Sequence, residues 1–285
     1  MDFNFPLLLV IATFVTGGIW LVDAMLFAPG RREEGVEQTP ETSGEPSEAG
    51  EPAIREPLLV EYARSFFPVI LAVLILRSFL MEPFRIPSSS MMPTLLIGDF
   101  ILVNKYTYGI RLPVLNKKII DVGEPQRGDV VVFKYPQNPS IDYIKRVVGV
   151  PGDRIDYRRK VLHINGEPTR QTPIGRYSGV GASAYENGAL ELMESIDEVE
   201  HSILVRPAAP NFASGCQQLL RGAIIVPEGH YFAMGDNRDN SNDSRCWGFV
   251  PEENLVGRAF GIWMSWDADR PGFPVAWERL GEGID

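Results

Sequence analysis

Apolar residues fall in two long runs near the start of the chain and in short, punctuated runs thereafter. Phe3 to Val22 is a stretch of 20 uncharged, mostly apolar residues, about 30 Å long as a helix and enough to span a bilayer. The chain opens Met1-Asp2, with no basic segment ahead of the run. This predicts a retained transmembrane helix over residues 1–28 rather than a cleaved secretory leader. A second span, residues 59–81, carries Arg77 near its end, where an arginine can snorkel to the headgroups. Pro68 inside it suggests a kink, and a buried or interfacial helix is the competing reading of this run.

After Pro93 the pattern changes. Phe100–Asn104, Val130–Lys134, Ile144–Gly149, Val161–Ile164, Ala223–Val226, Tyr231–Met234 and Leu255–Trp263 are short apolar or alternating runs bounded by glycine, proline or polar residues, and they read as strands. No helix-period segment of comparable length lies between them. The predicted fold is therefore mainly β: two N-terminal transmembrane helices, then an antiparallel β domain over residues 82–154 and 225–285. Residues 155–224, with sparse strand signals and many small and polar residues, are expected to form an inserted β-rich subdomain.

Charge refines this picture. The chain of 285 residues carries a net −10. Between Arg31 and Glu61, nine glutamates face three arginines, so −6 of that total sits in one segment. The rest is only mildly acidic, which argues against nucleic-acid binding. Residues 29–58 are rich in Glu, Pro, Gly, Ser and Thr and are predicted to be a disordered tether. Arg31, Arg32, Arg55 and Arg64 flank the spans on this side, whereas no lysine or arginine precedes the first span. Positive-inside bias puts the tether in the cytoplasm and everything after residue 82 outside.

Cys216 and Cys246 would then face an oxidising compartment. A bond between them would contribute roughly 3–4 kcal/mol in the chain-entropy model; two unpaired buried thiols are the alternative. The three histidines are scattered, and no metal site or cofactor is expected. The acidic loop Gly235–Arg245 fails the calcium template in both registers, because Arg238 takes a ligand position in one and Ser244 takes the glycine position in the other. It is read instead as a scaffold, with Asp243 paired to Arg245 and Asp236 capping backbone amides.

Pro87-Ser88-Ser89-Ser90-Met91-Met92-Pro93 sets three serines between two prolines. The prolines restrict the backbone, so this is either a plain helix-ending turn or a stiff turn presenting a hydroxyl. A serine nucleophile needs a base, and with no histidine in a triad context Lys145 is the candidate. Strand alternation puts it on one face with Tyr143 and Val147, and apolar surroundings lower a lysine pKa. A shift of about 3 units, roughly 4 kcal/mol, would bring it into the range of a working general base.

The stretch Glu82–Leu95 closely resembles the nucleophile segment of bacterial type I signal peptidases. Arg127–Phe133, Asp142–Gly149 and Gly235–Arg245 resemble that family's next motifs, in the same order. The resemblance implies Ser90 as nucleophile and Lys145 as general base. It further implies an oxyanion hole from Ser88 and the Ser90 N–H, with Ser241 orienting the lysine amine. By the same resemblance Ile86, Met91, Leu95, Tyr143 and Ile144 would line the pocket for the residue before the cut. Phe84, Ile101, Val132 and Ile144 would line that for the third residue before it. Trp263, Met264 and Trp266 are candidate interfacial anchors.

The implied function is a multi-pass peptidase of the bacterial inner membrane, its catalytic domain on the periplasmic side. Its partners would be secretory preproteins and the lipid bilayer, with no nucleic acid and no metal. A specialised pilin- or conjugation-factor-processing peptidase would share every motif. A catalytically inactive membrane-tethered β scaffold is the non-enzymatic alternative. The self-cleaving repressors of the DNA-damage response use a similar dyad, but lack the two spans and carry a basic recognition helix.

Overall fold

The computed structural model describes residues 5–31, 56–115, 117–212 and 216–284, in two compact units, 1–78 and 79–285. The predicted tether lies almost wholly outside the described residues. In the first unit, helix α1 (Phe5–Val22) continues through a π turn to Arg31, and α2 (Leu58–Ile75) continues to Leu80. Both are long and apolar enough to cross a membrane by length and composition. They pack closely at Gly17, where a Cβ would come within 2.6 Å of the Phe67 ring, the small-residue contact that lets apolar helices approach. Asp23, the residue immediately after α1, is paired in bidentate fashion with Arg31.

Among the described residues the second unit has sixteen strands. In chain order these are β1 (Met81–Arg85), β2 (Asp99–Asn104), β3 (Ile110–Arg111), β4 (Lys118–Ile120), β5 (Val130–Tyr135) and β6 (Asn138–Gly149). Then come β7 (Arg154–Arg158), β8 (Val161–Ile164), β9 (Glu167–Pro168), β10 (Arg170–Arg176), β11 (Leu190–Ile196) and β12 (Val199–Val205). The last are β13 (Ile224–Ile225), β14 (His230–Met234), β15 (Val250–Pro251) and β16 (Leu255–Ser265). The main sheet has seven strands in the order β1-β2-β16-β5-β6-β14-β15, each pair antiparallel. The mainly antiparallel β architecture behind two apolar helices is the one expected.

Alternation on β5 and β6 divides the interior. Ile144 joins Ile86, Met91, Leu95, Ile101 and Val132 in one buried cluster. Its neighbours Tyr143 and Val147 join Phe133 and Trp247 on the opposite face. Residues 155–224 keep a small cluster of their own, Leu192, Ile203 and Val205, but a larger set of their buried residues shares a core with the main sheet. Ile155, Tyr157, Leu162, Ile196 and Leu219 pack with Val148, Phe232 and Met234 of the main sheet in a single cluster. Their strands form a sheet β13-β7-β8-β9 and a sheet β10-β11-β12. The expected inserted subdomain is therefore an extension of the same packed unit, with Cys216 and Cys246 bonded to each other across it.

Candidate active site

Ser90 sits in a short 3₁₀ turn, Ser89–Met91, that follows the extended residue Ser88. Met91 and Leu95, both fully buried, anchor the turn in the main core. Lys145 comes from the middle of β6, the strand whose inner end is wholly buried. The two meet although 55 residues apart in sequence: Lys145 Nζ lies 2.7 Å from Ser90 Oγ. Nζ also donates to the carbonyl of Ile144 at 2.7 Å, and the Tyr143 ring centroid is 5.5 Å away. The Ser88 and Ser90 hydroxyls are 3.3 Å apart, with Ser88 exposed and Ser90 buried.

Lys145 is 4% exposed. Burial lowers its pKa to about 8; the carboxylates of Asp243 and Asp236 oppose the shift, and Arg245 adds to it. At neutral pH about a tenth of such amines are uncharged, against roughly one in a few thousand for an ordinary lysine. That leaves the amine able to take a hydroxyl proton at the distance found here.

The loop 235–245 holds the Ser89–Ser90 segment by its backbone. Asn237 N donates to the Ser90 carbonyl at 3.1 Å and Asn237 Nδ2 to the Ser89 carbonyl at 3.2 Å. Asn240 Nδ2 bonds Ser89 Oγ at 2.9 Å and Glu186 at 2.7 Å. Gly235 must be glycine for this approach, since a Cβ there would lie 2.4 Å from the Ser90 carbonyl oxygen and 2.3 Å from Ser241 Oγ. These tethers were not foreseen from the sequence; an asparagine-rich turn reads as loop chemistry until its partner is known.

Two carboxylates behind the dyad have definite tasks. Asp243 binds Arg245 through both oxygens at 2.8 Å and also accepts from Gly235 N at 3.1 Å. Asp236 was expected to cap amides and does not. It takes the guanidinium of Arg146 in a fork, both contacts at 2.9 Å, and the Thr94 hydroxyl at 2.6 Å. The correction has a simple cause: Arg146 is fully buried beside Lys145, and a two-pronged charge pair satisfies it far better than isolated amides would satisfy the carboxylate. Both carboxylates are held below the usual range, with the paired arginines outweighing burial.

The Ser241 Oγ is buried against Gly235, whose other close neighbour is the Ser90 carbonyl oxygen, and the Ile144 carbonyl accepts a hydrogen bond from the lysine amine. Of the expected pocket residues, Phe84, Ile86, Met91, Leu95, Ile101, Val132 and Ile144 come together in one cluster. Tyr143 does not join them; it faces the other side of β6, stacked on Tyr135 at 4.3 Å, because neighbouring strand residues point to opposite faces. Trp263 and Trp266 are both partly exposed. Among the described residues no group of metal-ligating side chains occurs.

A family model described as "Signal peptidase, peptidase S26" matches residues 59–266. The signal peptidase I of Pseudomonas fluorescens is 50% identical over 293 aligned positions, covering 99% of each chain. That of Pseudomonas aeruginosa is 50% identical over 279 positions, covering 93% of this chain and 94% of the other. That of Aquifex aeolicus is 39% identical over 222 positions, covering 70% and 82%. A family match over most of the chain, with half of all residues identical along its whole length, leads to one conclusion: the chain belongs to the signal peptidase family, peptidase S26, and is a peptidase.

Proposed function

We propose that this chain removes signal peptides from secretory preproteins at the bacterial inner membrane, using Ser90 as nucleophile and Lys145 as general base. The observation that carries the reading is the 2.7 Å contact between a buried, pKa-lowered amine and a buried hydroxyl. Lys145 accepts the Ser90 proton as Oγ attacks the scissile carbonyl, and returns it to the departing amine. It then takes a proton from water, which attacks the acyl-serine and releases the signal peptide with its new carboxylate. The Ser90 N–H and the exposed Ser88 hydroxyl would meet the oxyanion, each such donor being worth about 10²–10³ in rate. Two apolar spans and the arginines between them favour a membrane-anchored enzyme with the β unit outside. The mainly aliphatic cluster beneath Ser90 favours small residues at the cut.

The test is cleavage of a preprotein carrying an Ala-x-Ala site by full-length protein in detergent. Ser90→Ala and Lys145→Ala should each lose at least about 10³-fold in kcat. Wild-type activity should rise about tenfold per pH unit up to a midpoint near the lysine pKa of about 8. Wild-type turnover by either variant would refute the dyad.

A further inference from the structure

His201 on β12 faces Glu194 on β11 as its partner in the ladder. The side chain is buried, and its ring meets its carboxylate neighbours only at long range. Nε2 is 3.5 Å from Glu194 Oε2 and 3.9 Å from Asp236 Oδ1. The charged groups around the ring are Glu194 from β11, Asp236 from the 235–245 loop, Arg146 from β6 and, beyond Glu194, Arg238.

Both carboxylates are already committed. Glu194 takes Arg238, Thr169 and Gln171. Asp236 takes Arg146 and Thr94. Through that one carboxylate, the residue next to Lys145 is tied to the segment carrying Ser90. Of the two Asp236 oxygens, the one that lies 3.9 Å from His201 Nε2, Oδ1, is the same atom that receives Arg146 Nε at 2.9 Å. A neutral imidazole leaves that oxygen to Arg146. An imidazolium, with a proton on each nitrogen, would be a second cationic donor aimed at it.

We propose that His201 is a positioning residue of the dyad: neutral, it keeps Asp236 free to clamp Arg146 to Thr94, and on taking a proton from acidic solvent it donates to Asp236 Oδ1, displaces Arg146 Nε and slackens the Lys145–Ser90 geometry. Burial and the Arg146 guanidinium favour the neutral ring, against the pull of both carboxylates. This rests on the Ser90–Lys145 reading above, and adds a second proton-sensitive group to it.

The slope of log kcat/KM against pH distinguishes the two. Full-length protein in detergent, with an Ala-x-Ala preprotein, is assayed from pH 4.5 to 9. With Lys145 alone titrating, the slope is one throughout the acid limb. With His201 coupled, the wild type loses about 100-fold per pH unit once the ring titrates, while His201→Gln loses about 10-fold per unit over the whole limb. His201→Met serves the same comparison should the glutamine variant fail to fold. A wild-type slope of one down to pH 4.5, or a slope of two kept in the variants, would overturn the proposal and leave the dyad standing. No acid limb at all would overturn the dyad itself. Near-UV circular dichroism over the same range should stay native; its loss in step with activity would assign the steep limb to unfolding and overturn the proposal.

Discussion

At the scale of single residues, the site depends on one amine held where water cannot solvate its charge. The cost is a stability cost. The folded-state pKa of Lys145, about 8, lies below the ordinary lysine value near 10.5. Between those values the unfolded chain binds more protons, so this group makes stability rise with pH across that window and imposes its full penalty below it. Lys145→Met should therefore be inactive yet more stable than wild type by about 3 kcal/mol at pH 7, with the difference fading above pH 8 and gone by about pH 10.5. Urea titrations at three pH values check this; a variant less stable at pH 7 would show that the hydrogen bonds to Ser90 and Ile144 outweigh desolvation. Gly235 makes a second residue-scale demand. A methyl there would meet the Ser90 carbonyl oxygen, which is backbone, as well as the Ser241 side chain. Gly235→Ala should cut kcat by about 10²-fold through displacement of Ser90, while thermal melting records only a modest loss.

At the scale of elements, the dyad is a junction between β6, the 3₁₀ turn of Ser90 and the 235–245 loop, and the buried Arg146–Asp236 pair holds the three together. Breaking that pair from one side leaves a guanidinium uncompensated in the interior. Asp236→Ala should lose about 3–5 kcal/mol in urea denaturation, and Asp236→Ala with Arg146→Met should recover part of it. Full additivity of the two would show that they do not interact. The elements that escaped the sequence reading did so for physical reasons. β11 and β12 carry Glu194 and His201 toward the interior, where pairing with Arg238 allows a carboxylate to be buried; read from sequence, such residues mark a solvent face. β1 contains Pro83 and Glu82 and passes for the end of a span, yet it is an edge strand, where a proline costs no ladder bond. By contrast β2, β5, β8, β14 and β16 announce themselves through apolar runs with glycine or proline nearby.

At the scale of the whole molecule, residues 155–224 are stitched into the main sheet by a shared core and by the Cys216–Cys246 bond. That bond ties the far segment to the one-turn helix that follows Asp243. Without reductant, alkylation should add no mass to the denatured protein; with reductant, stability should fall by roughly 3–4 kcal/mol, read as a melting point several degrees lower. Two alkylated thiols in unreduced protein would count against the pairing. The chain by itself determined the two apolar spans, the antiparallel β class and the choice of Ser90 and Lys145 as the candidate pair, because bilayer-length hydrophobicity, strand alternation and motif order are all written locally along it. The tertiary structure decided that Asp236 serves Arg146, that Tyr143 and Ile144 face opposite ways, and that a histidine is wedged among paired charges. Those are choices among partners distant in sequence, and burial, which strips each charge of water and makes its nearest opposite worth having, settles them only once the chain has closed.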